Sequence, residues 1–247
     1  MGEITGYLPR PEGERLAWRR IEGGGPTLVW LCGYRSDMAG SKAEALAQWA
    51  EQAGRAFLRF DYFGHGASSG DIVSGTISRW RDDALAVLDE LTSGDLVLVG
   101  SSMGGWIACL AAMARPGRVR ALTLIAPAPD FTEKLIEPAL TPEARAALDS
   151  AGVWLRPSPY GDPDPISRAF LADGACWSIL PGPVSINVPV RILQGGEDDA
   201  VPWTHSLALA QALASSDVVF SLIKDGDHRL SRDADIARLI ATVAEFA

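Results

Sequence analysis

The 247-residue sequence predicts an α/β domain: a mostly parallel sheet of eight strands with helices on both faces. Three observations predict it. Short apolar runs alternate with amphipathic helical stretches, the pattern of βαβ units in a sheet covered on both sides. The length suits one α/β domain better than two cramped ones. The composition, 47% hydrophobic and 21% charged, belongs to a folded chain with a sizeable core.

The elements follow in order. Residues 4–8 and 15–21 read as two strands around a turn with Pro9, Pro11 and Gly13. Residues 27–31 form an apolar run ended by Gly33, hence a strand. Residues 41–53 are rich in Ala, Glu and Leu at helical spacing, and 56–60 form a buried strand. Over 77–91 a helix places Ile77, Trp80, Ala84, Leu88 and Leu91 on one face. Residues 96–99 are a very apolar strand ended by Gly100. A helix over 103–114 is closed by Pro116-Gly117, and 121–125 is another strand. The last elements are strand 190–193, helix 204–214, strand 218–222 and helix 233–246.

One interval breaks the rhythm. Between Pro127 and Pro189 the chain carries Pro138, Pro142, Pro157, Pro159, Pro163, Pro165, Pro181 and Pro183. It is too long for an ordinary loop. Short helices fit 142–150 and 166–173. The expected organisation is a single domain over 1–247 with a small cap insertion at about 129–186.

Charge and cysteine usage narrow the function classes. The formal net charge of −9 argues against a nucleic-acid partner, which needs a basic surface, and against docking on an anionic membrane. No apolar run has the ~20 residues that insertion across a bilayer needs. The first six residues carry neither a basic nor an apolar signal region, and Gly6 breaks the myristoylation pattern. Cys32, Cys109 and Cys176 show no CxxC spacing, so buried free thiols are expected rather than disulfides or zinc. Arginine outnumbers lysine 19 to 3, a mark of genome composition. Together these suggest a cytoplasmic protein from a bacterium.

The run Gly100-Ser101-Ser102-Met103-Gly104 joins a strand to a helix, the context that G-x-S-x-G requires. The turn is so tight that the residues two before and two after the nucleophile must be small. That register selects Ser102. A serine hydroxyl needs a base. His228, in the loop between the last strand and the last helix, is the candidate. His65, in a glycine loop, reads as a structural pin for that loop. His205, in the first turn of a helix, reads as surface or capping. A base needs an orienting carboxylate. The run from Gly195 to Pro202 supplies Glu197, Asp198 and Asp199 at a strand end, and chemistry alone does not choose between the two aspartates. The oxyanion donors would be the amides of Met103 and Tyr34, the latter in the loop after strand 27–31.

These residues resemble the α/β-hydrolase superfamily along the whole chain. There the acid commonly sits in G-x-x-D-x-x-V-P, and Gly195, Asp198, Val201 and Pro202 fit that register, which favours Asp198. Within the superfamily the chain is most similar to the α/β-hydrolase domain-containing protein ten family and its bacterial relatives. The likeness is carried by Gly33-Tyr34, Arg59-Phe60-Asp61-Tyr62, Gly100-Ser101-Ser102-Met103-Gly104-Gly105-Trp106, Gly152-Val153-Trp154, Asp198-Asp199, Val201-Pro202-Trp203 and Asp227-His228-Arg229. Cys32 departs from the family, where many relatives carry His or Pro, and the cap matches only in patches. The resemblance implies palmitoyl-protein thioesterase or acyl-glucuronide esterase activity.

The expected reaction is hydrolysis of a carboxylic ester or thioester by Ser102, His228 and Asp198, with no metal or other cofactor. A C–C bond hydrolase or lactonase could use the same triad, and a non-catalytic ligand-binding protein could share the fold. Trp106, Trp154, Trp177 and Trp203 are either pocket walls or core filling. Arg229 would meet a substrate carboxylate or a surface partner. The partner is a small-molecule or acylated substrate, and the chain could be a monomer or a homodimer.

Overall fold

The computed structural model describes residues 2–158, 161–180 and 182–247. Pro159 and Pro181 of the proline-rich interval lie outside them. The chain runs β1 (Ile4–Pro9), β2 (Arg15–Ile21), β3 (Gly24–Leu31), α1 (Ser41–Ala53), β4 (Arg55–Phe60), α2 (Ile77–Leu91), β5 (Leu96–Ser101), α3 (Met103–Ala114) and β6 (Val119–Ile125). It continues through α4 (Pro142–Ala151), β7 (Val153–Arg156), β8 (Asp164–Ser167), α5 (Arg168–Ala175), β9 (Val190–Gly195), α6 (Trp203–Ala212), β10 (Val218–Ile223) and α7 (Asp233–Ala244).

Eight strands form one sheet in the order β1-β2-β4-β3-β5-β6-β9-β10. The β1–β2 and β2–β4 pairs are antiparallel, and every pair from β4 to β10 is parallel. This is the α/β-hydrolase fold. The parallel strands all release their following loops at the same edge, where sites form in such sheets. Strand β5 is central and buried on both faces, which explains its unbroken run Leu96-Val97-Leu98-Val99.

The helices obey their side-chain spacing. Helix α2 buries Ile77, Trp80, Ala84, Val87 and Leu88, and Thr76 caps it by accepting from the Arg79 amide at 3.2 Å. Helix α3 is apolar all round because residues from Met103 to Ala112 are all buried. The bounds of α2 and α3 are those the sequence predicts.

The interval between β6 and β9 differs from expectation. It contains a two-stranded antiparallel hairpin, with Trp154 opposite Ile166 and Leu155 opposite Pro165. The helix expected over 166–173 therefore begins at Arg168. Ile166 and Ser167 are strand, and the Ser167 hydroxyl caps α5 by accepting from the Phe170 amide at 3.1 Å. Helix α6 stops at Ala212, short of the predicted 214, because Leu213 bridges to Val184. Ile136, Leu148, Ile166 and Phe170 of the interval join the same apolar cluster as the sheet. Among the described residues no helix is long and apolar enough to cross a membrane.

Candidate active site

Ser102 sits between β5 and α3 with φ +54° and ψ −119°, in the positive-φ region that residues with side chains rarely occupy. The neighbours make this conformation obligatory. A Cβ on Gly100 would lie 2.4 Å from the Gly104 carbonyl oxygen, and one on Gly104 would lie 2.1 Å from that of Leu31. Only hydrogen fits at either place. The turn is locked further: the Ser102 amide donates to Ile125 O at 2.8 Å, and Ser102 O accepts from Gly105 and Ala128 at 2.9 and 3.1 Å. Met103 is the first residue of α3, so its amide is one of the unpaired donors at the positive end of the helix.

His228 lies beyond β10 in the loop to α7. Its Nε2 is 3.1 Å from Ser102 Oγ and its Nδ1 is 2.8 Å from Asp198 Oδ2. Asp198 follows β9, and its carboxylate is wholly buried. Its Oδ1 accepts from the amides of Ala200 and Val201 at 3.0 and 2.7 Å. Asp199 is exposed and does not join this line. The two loops are stitched together by the Glu197 amide donating to Gly226 O at 2.9 Å.

The loop after β3 reaches the same place. Gly33 stands so near that a Cβ on it would be 3.3 Å from Ser102 Cβ. Tyr34 follows; its ring stacks on Phe170 at 5.4 Å and its hydroxyl donates to Pro165 O of β8. Arg35 has φ +57° and donates from its guanidinium to the carbonyls of Asp162 and Pro163 at 2.5 and 2.6 Å. The loop is thereby fastened to the hairpin.

His65 is buried beneath this loop. Its Nδ1 faces the Phe63 carbonyl at 3.0 Å, an acceptor only, so Nδ1 carries the proton. Its Nε2 is left to accept from the Arg35 amide at 3.2 Å. Burial pushes its titration down to about 4. It pins the loop as the sequence suggests, and it also reaches the loop after β3. His205 is a correction: it is half-buried rather than surface, with Nε2 2.7 Å from Pro129 O. Cys176 is another: it is exposed, while Cys32 and Cys109 are buried.

The tryptophans are dispersed. Trp106 is fully buried, and its indole donates to the Trp177 carbonyl at 3.2 Å. Trp177 donates to Ser78 Oγ at 2.7 Å and carries Arg81 over its ring. It lines a cavity of about 540 Å³ with Arg81, Leu110, Met113 and Cys176, and none of Ser102, Asp198 or His228 borders that cavity. Trp154 lies in the hairpin, and Trp203 is 41% exposed at the start of α6. The backbone carbonyl of Arg229 accepts from the Lys42 ammonium of α1. Burial beside the Arg229 cation lowers Lys42 to about 8. No cluster of metal-ligating side chains occurs among the described residues.

Two buried polar residues escape motif reading. Gln194, the penultimate residue of β9, donates to Asp198 Oδ2 at 3.0 Å, and Ser206 of α6 donates to Gln194 Oε1 at 2.6 Å. The available signal is a glutamine directly after the apolar pair Ile192-Leu193 at the strand end that precedes Asp198.

Known proteins resemble this chain in sequence and in fold. A family model described as serine aminopeptidase, S33, matches residues 28–170. The chain is 39% identical over 242 residues to the Rattus norvegicus protein named palmitoyl-protein thioesterase ABHD10, mitochondrial, covering 97% of this chain and 81% of that one. The Homo sapiens counterpart is 37% identical, with 97% and 79% covered. Among solved structures, a protein from Agrobacterium vitis described as a hydrolase superposes with a TM-score of 0.96 at 41% identity, covering 100% of this chain and 99% of that one. Mouse α/β-hydrolase domain-containing protein 10 superposes with a TM-score of 0.90 at 38% identity, covering 98% and 97%. The sheet order and these likenesses together show that the chain belongs to the α/β-hydrolases, in the family described as serine aminopeptidase, S33.

Proposed function

We propose that this chain hydrolyses carboxylic esters or thioesters through an acyl-enzyme on Ser102. The observation that carries the proposal is the unbroken line from Ser102 Oγ to His228 Nε2 at 3.1 Å and from His228 Nδ1 to Asp198 Oδ2 at 2.8 Å. His228 takes the Ser102 proton as the oxygen attacks the acyl carbonyl, and Asp198 steadies the imidazolium. The amides of Met103 and Tyr34 receive the oxyanion. The C–O or C–S bond breaks, and His228 gives its proton to the departing alkoxide or thiolate, which restores the neutral base. His228 then activates water, which attacks the acyl-enzyme and frees Ser102 and a carboxylate.

The residues between β6 and β9 act in this proposal as the cap of a single domain, with aromatic and aliphatic walls suited to an acyl chain. Thioesters enter the proposal through the relatives named as palmitoyl-protein thioesterases. A cytoplasmic location in a bacterial cell belongs to this proposal on composition alone; the animal relatives are named as mitochondrial. The test is labelling with a fluorophosphonate probe, alongside turnover of p-nitrophenyl butyrate and palmitoyl-CoA. The wild-type chain should label and turn over, and Ser102→Ala should do neither. An unlabelled wild type, or equal labelling of the variant, removes the proposal.

A further inference from the structure

We propose that Gln194, backed by Ser206, is a positioning residue that holds the Asp198 carboxylate in the orientation His228 requires. The inference rests on the triad proposed above. Gln194 and Ser206 are both wholly buried. A buried amide is tolerated only when its hydrogen-bonding groups are satisfied, and an apolar side chain of similar volume would fill the space more simply. What the amide touches explains its presence.

The Gln194 Nε2 faces three acceptors: Gly195 O at 3.1 Å, Val201 O at 3.1 Å and Asp198 Oδ2 at 3.0 Å. Two of these are main-chain carbonyls, which accept only. The NH2 end must therefore point towards the acid, and the oxygen end must point away. The Ser206 hydroxyl meets that oxygen at 2.6 Å. Its one proton has a second acceptor in reach, Pro127 O at 3.0 Å. Were the proton given there, two oxygens would face each other at 2.6 Å without one between them. The proton thus belongs on the line to Gln194, and it opposes an amide flip that would turn oxygen on oxygen at Asp198.

Asp198 is consequently held on both oxygens. Two backbone amides fix Oδ1, and the side-chain amide fixes Oδ2, the oxygen that meets His228. Without Gln194 the carboxylate plane would be set on one side only. The titratable groups on this line are Asp198 and, beyond it, His228; α6 contributes the Ser206 hydroxyl, and the loop after β6 contributes the Pro127 carbonyl.

The experiment compares full-length Gln194→Met, Gln194→Glu, Ser206→Ala and Asp198→Asn, each checked for folding by circular dichroism and assayed with p-nitrophenyl butyrate. Gln194→Met should lower kcat about tenfold to a hundredfold, by analogy with the loss on removing the hydrogen-bond partner that orients a metal ligand. KM should stay within about twofold, since the amide is remote from the acyl pocket in this proposal. The low-field proton resonance of the His228–Asp198 hydrogen bond should move or broaden. Gln194→Glu should work on the acid side, where the new carboxyl is protonated and can donate, and lose kcat as that carboxyl ionises and meets three acceptors. Ser206→Ala should lie between wild type and Gln194→Met. Unchanged kcat and an unchanged proton resonance in Gln194→Met, with Asp198→Asn inactive, overturn the inference. If Gln194→Met does not fold, a wild-type pH profile in Gln194→Glu overturns it instead. An active Asp198→Asn marks failure of the triad itself, a different result from failure of Gln194.

Discussion

Replacing Asp198 by asparagine exchanges one carboxylate oxygen for an NH2 group, and the surroundings dictate how badly. Oδ1 accepts from the amides of Ala200 and Val201, so the asparagine oxygen must occupy that place. The other orientation would leave both backbone donors facing an NH2, at about 1–3 kcal/mol for each. The NH2 therefore falls where Oδ2 was, 2.8 Å from His228 Nδ1 and 3.0 Å from Gln194 Nε2. Donors then face donors. His228 escapes by moving its proton from Nδ1 to Nε2, which presents N–H to Ser102 and removes the base. The expected loss in kcat is about ten-thousandfold, the size of a wrong-tautomer defect in a serine triad. That corresponds to roughly 5.5 kcal/mol of transition-state stabilisation. Asp199 is exposed and touches none of these atoms, so Asp199→Asn should stay within about twofold of wild type. The assay is kcat with p-nitrophenyl butyrate for both variants, with thermal unfolding to confirm folding. A tenfold or smaller loss in Asp198→Asn, or a hundredfold loss in Asp199→Asn, would refute the assignment.

Three further outcomes follow from packing and burial. Gly104→Ala would place a methyl 2.1 Å from the Leu31 carbonyl, a backbone atom of a central strand that cannot give way, so probe labelling and thermal stability should both fall; a labelled, stable variant contradicts the elbow argument. Burial holds His65 near 4, whereas a free imidazole titrates near 6.5. Between these values the unfolded chain binds a proton that the folded chain refuses, so stability is full above about pH 6.5 and declines towards pH 4, by roughly 3 kcal/mol in all. Urea midpoints across this range should show the decline, and His65→Gln should flatten it; an identical slope in the variant speaks against His65 as the source. Among the thiols, Cys176 is exposed, while burial raises Cys32 and pushes Cys109 up to about 12, so a thiol reagent should titrate one cysteine quickly in the folded chain and all three after denaturation. Three fast thiols would mean that the core around Cys32 and Cys109 is open.

Which parts of this arrangement the sequence displays depends on how local their causes are. Helix α2 is legible because its buried face recurs every three or four residues, and α3 because a continuous apolar stretch is closed by Pro116-Gly117. The elbow is legible because its constraint is confined to Gly100, Ser102 and Gly104, where sterics alone choose the serine. The carboxylate is half legible. Two adjacent aspartates satisfy the chemistry equally, and burial separates them only once the Ala200 and Val201 amides fold back on one of them. The hairpin between β6 and β9 is not legible at all. Pro165 lacks the amide of an ordinary strand residue, and β7 and β8 are only four residues each. Their fastenings lie far away in sequence: Tyr34 binds Pro165 across 131 residues and Arg35 binds Asp162 across 127. Separation also hides Ser206 from Pro127, 79 residues apart. His228 and Ser102 are 126 residues apart, yet they are legible together because a serine nucleophile calls for a base. Gln194 is the instructive case, since its partner Asp198 is only four residues away and no motif marks the pair. The four-residue spacing there crosses a strand end and a turn, so no helical or strand period links the two. What betrays Gln194 is energetic: a neutral amide at the buried end of a mostly apolar strand must be satisfied by something, and Asp198 follows four residues later.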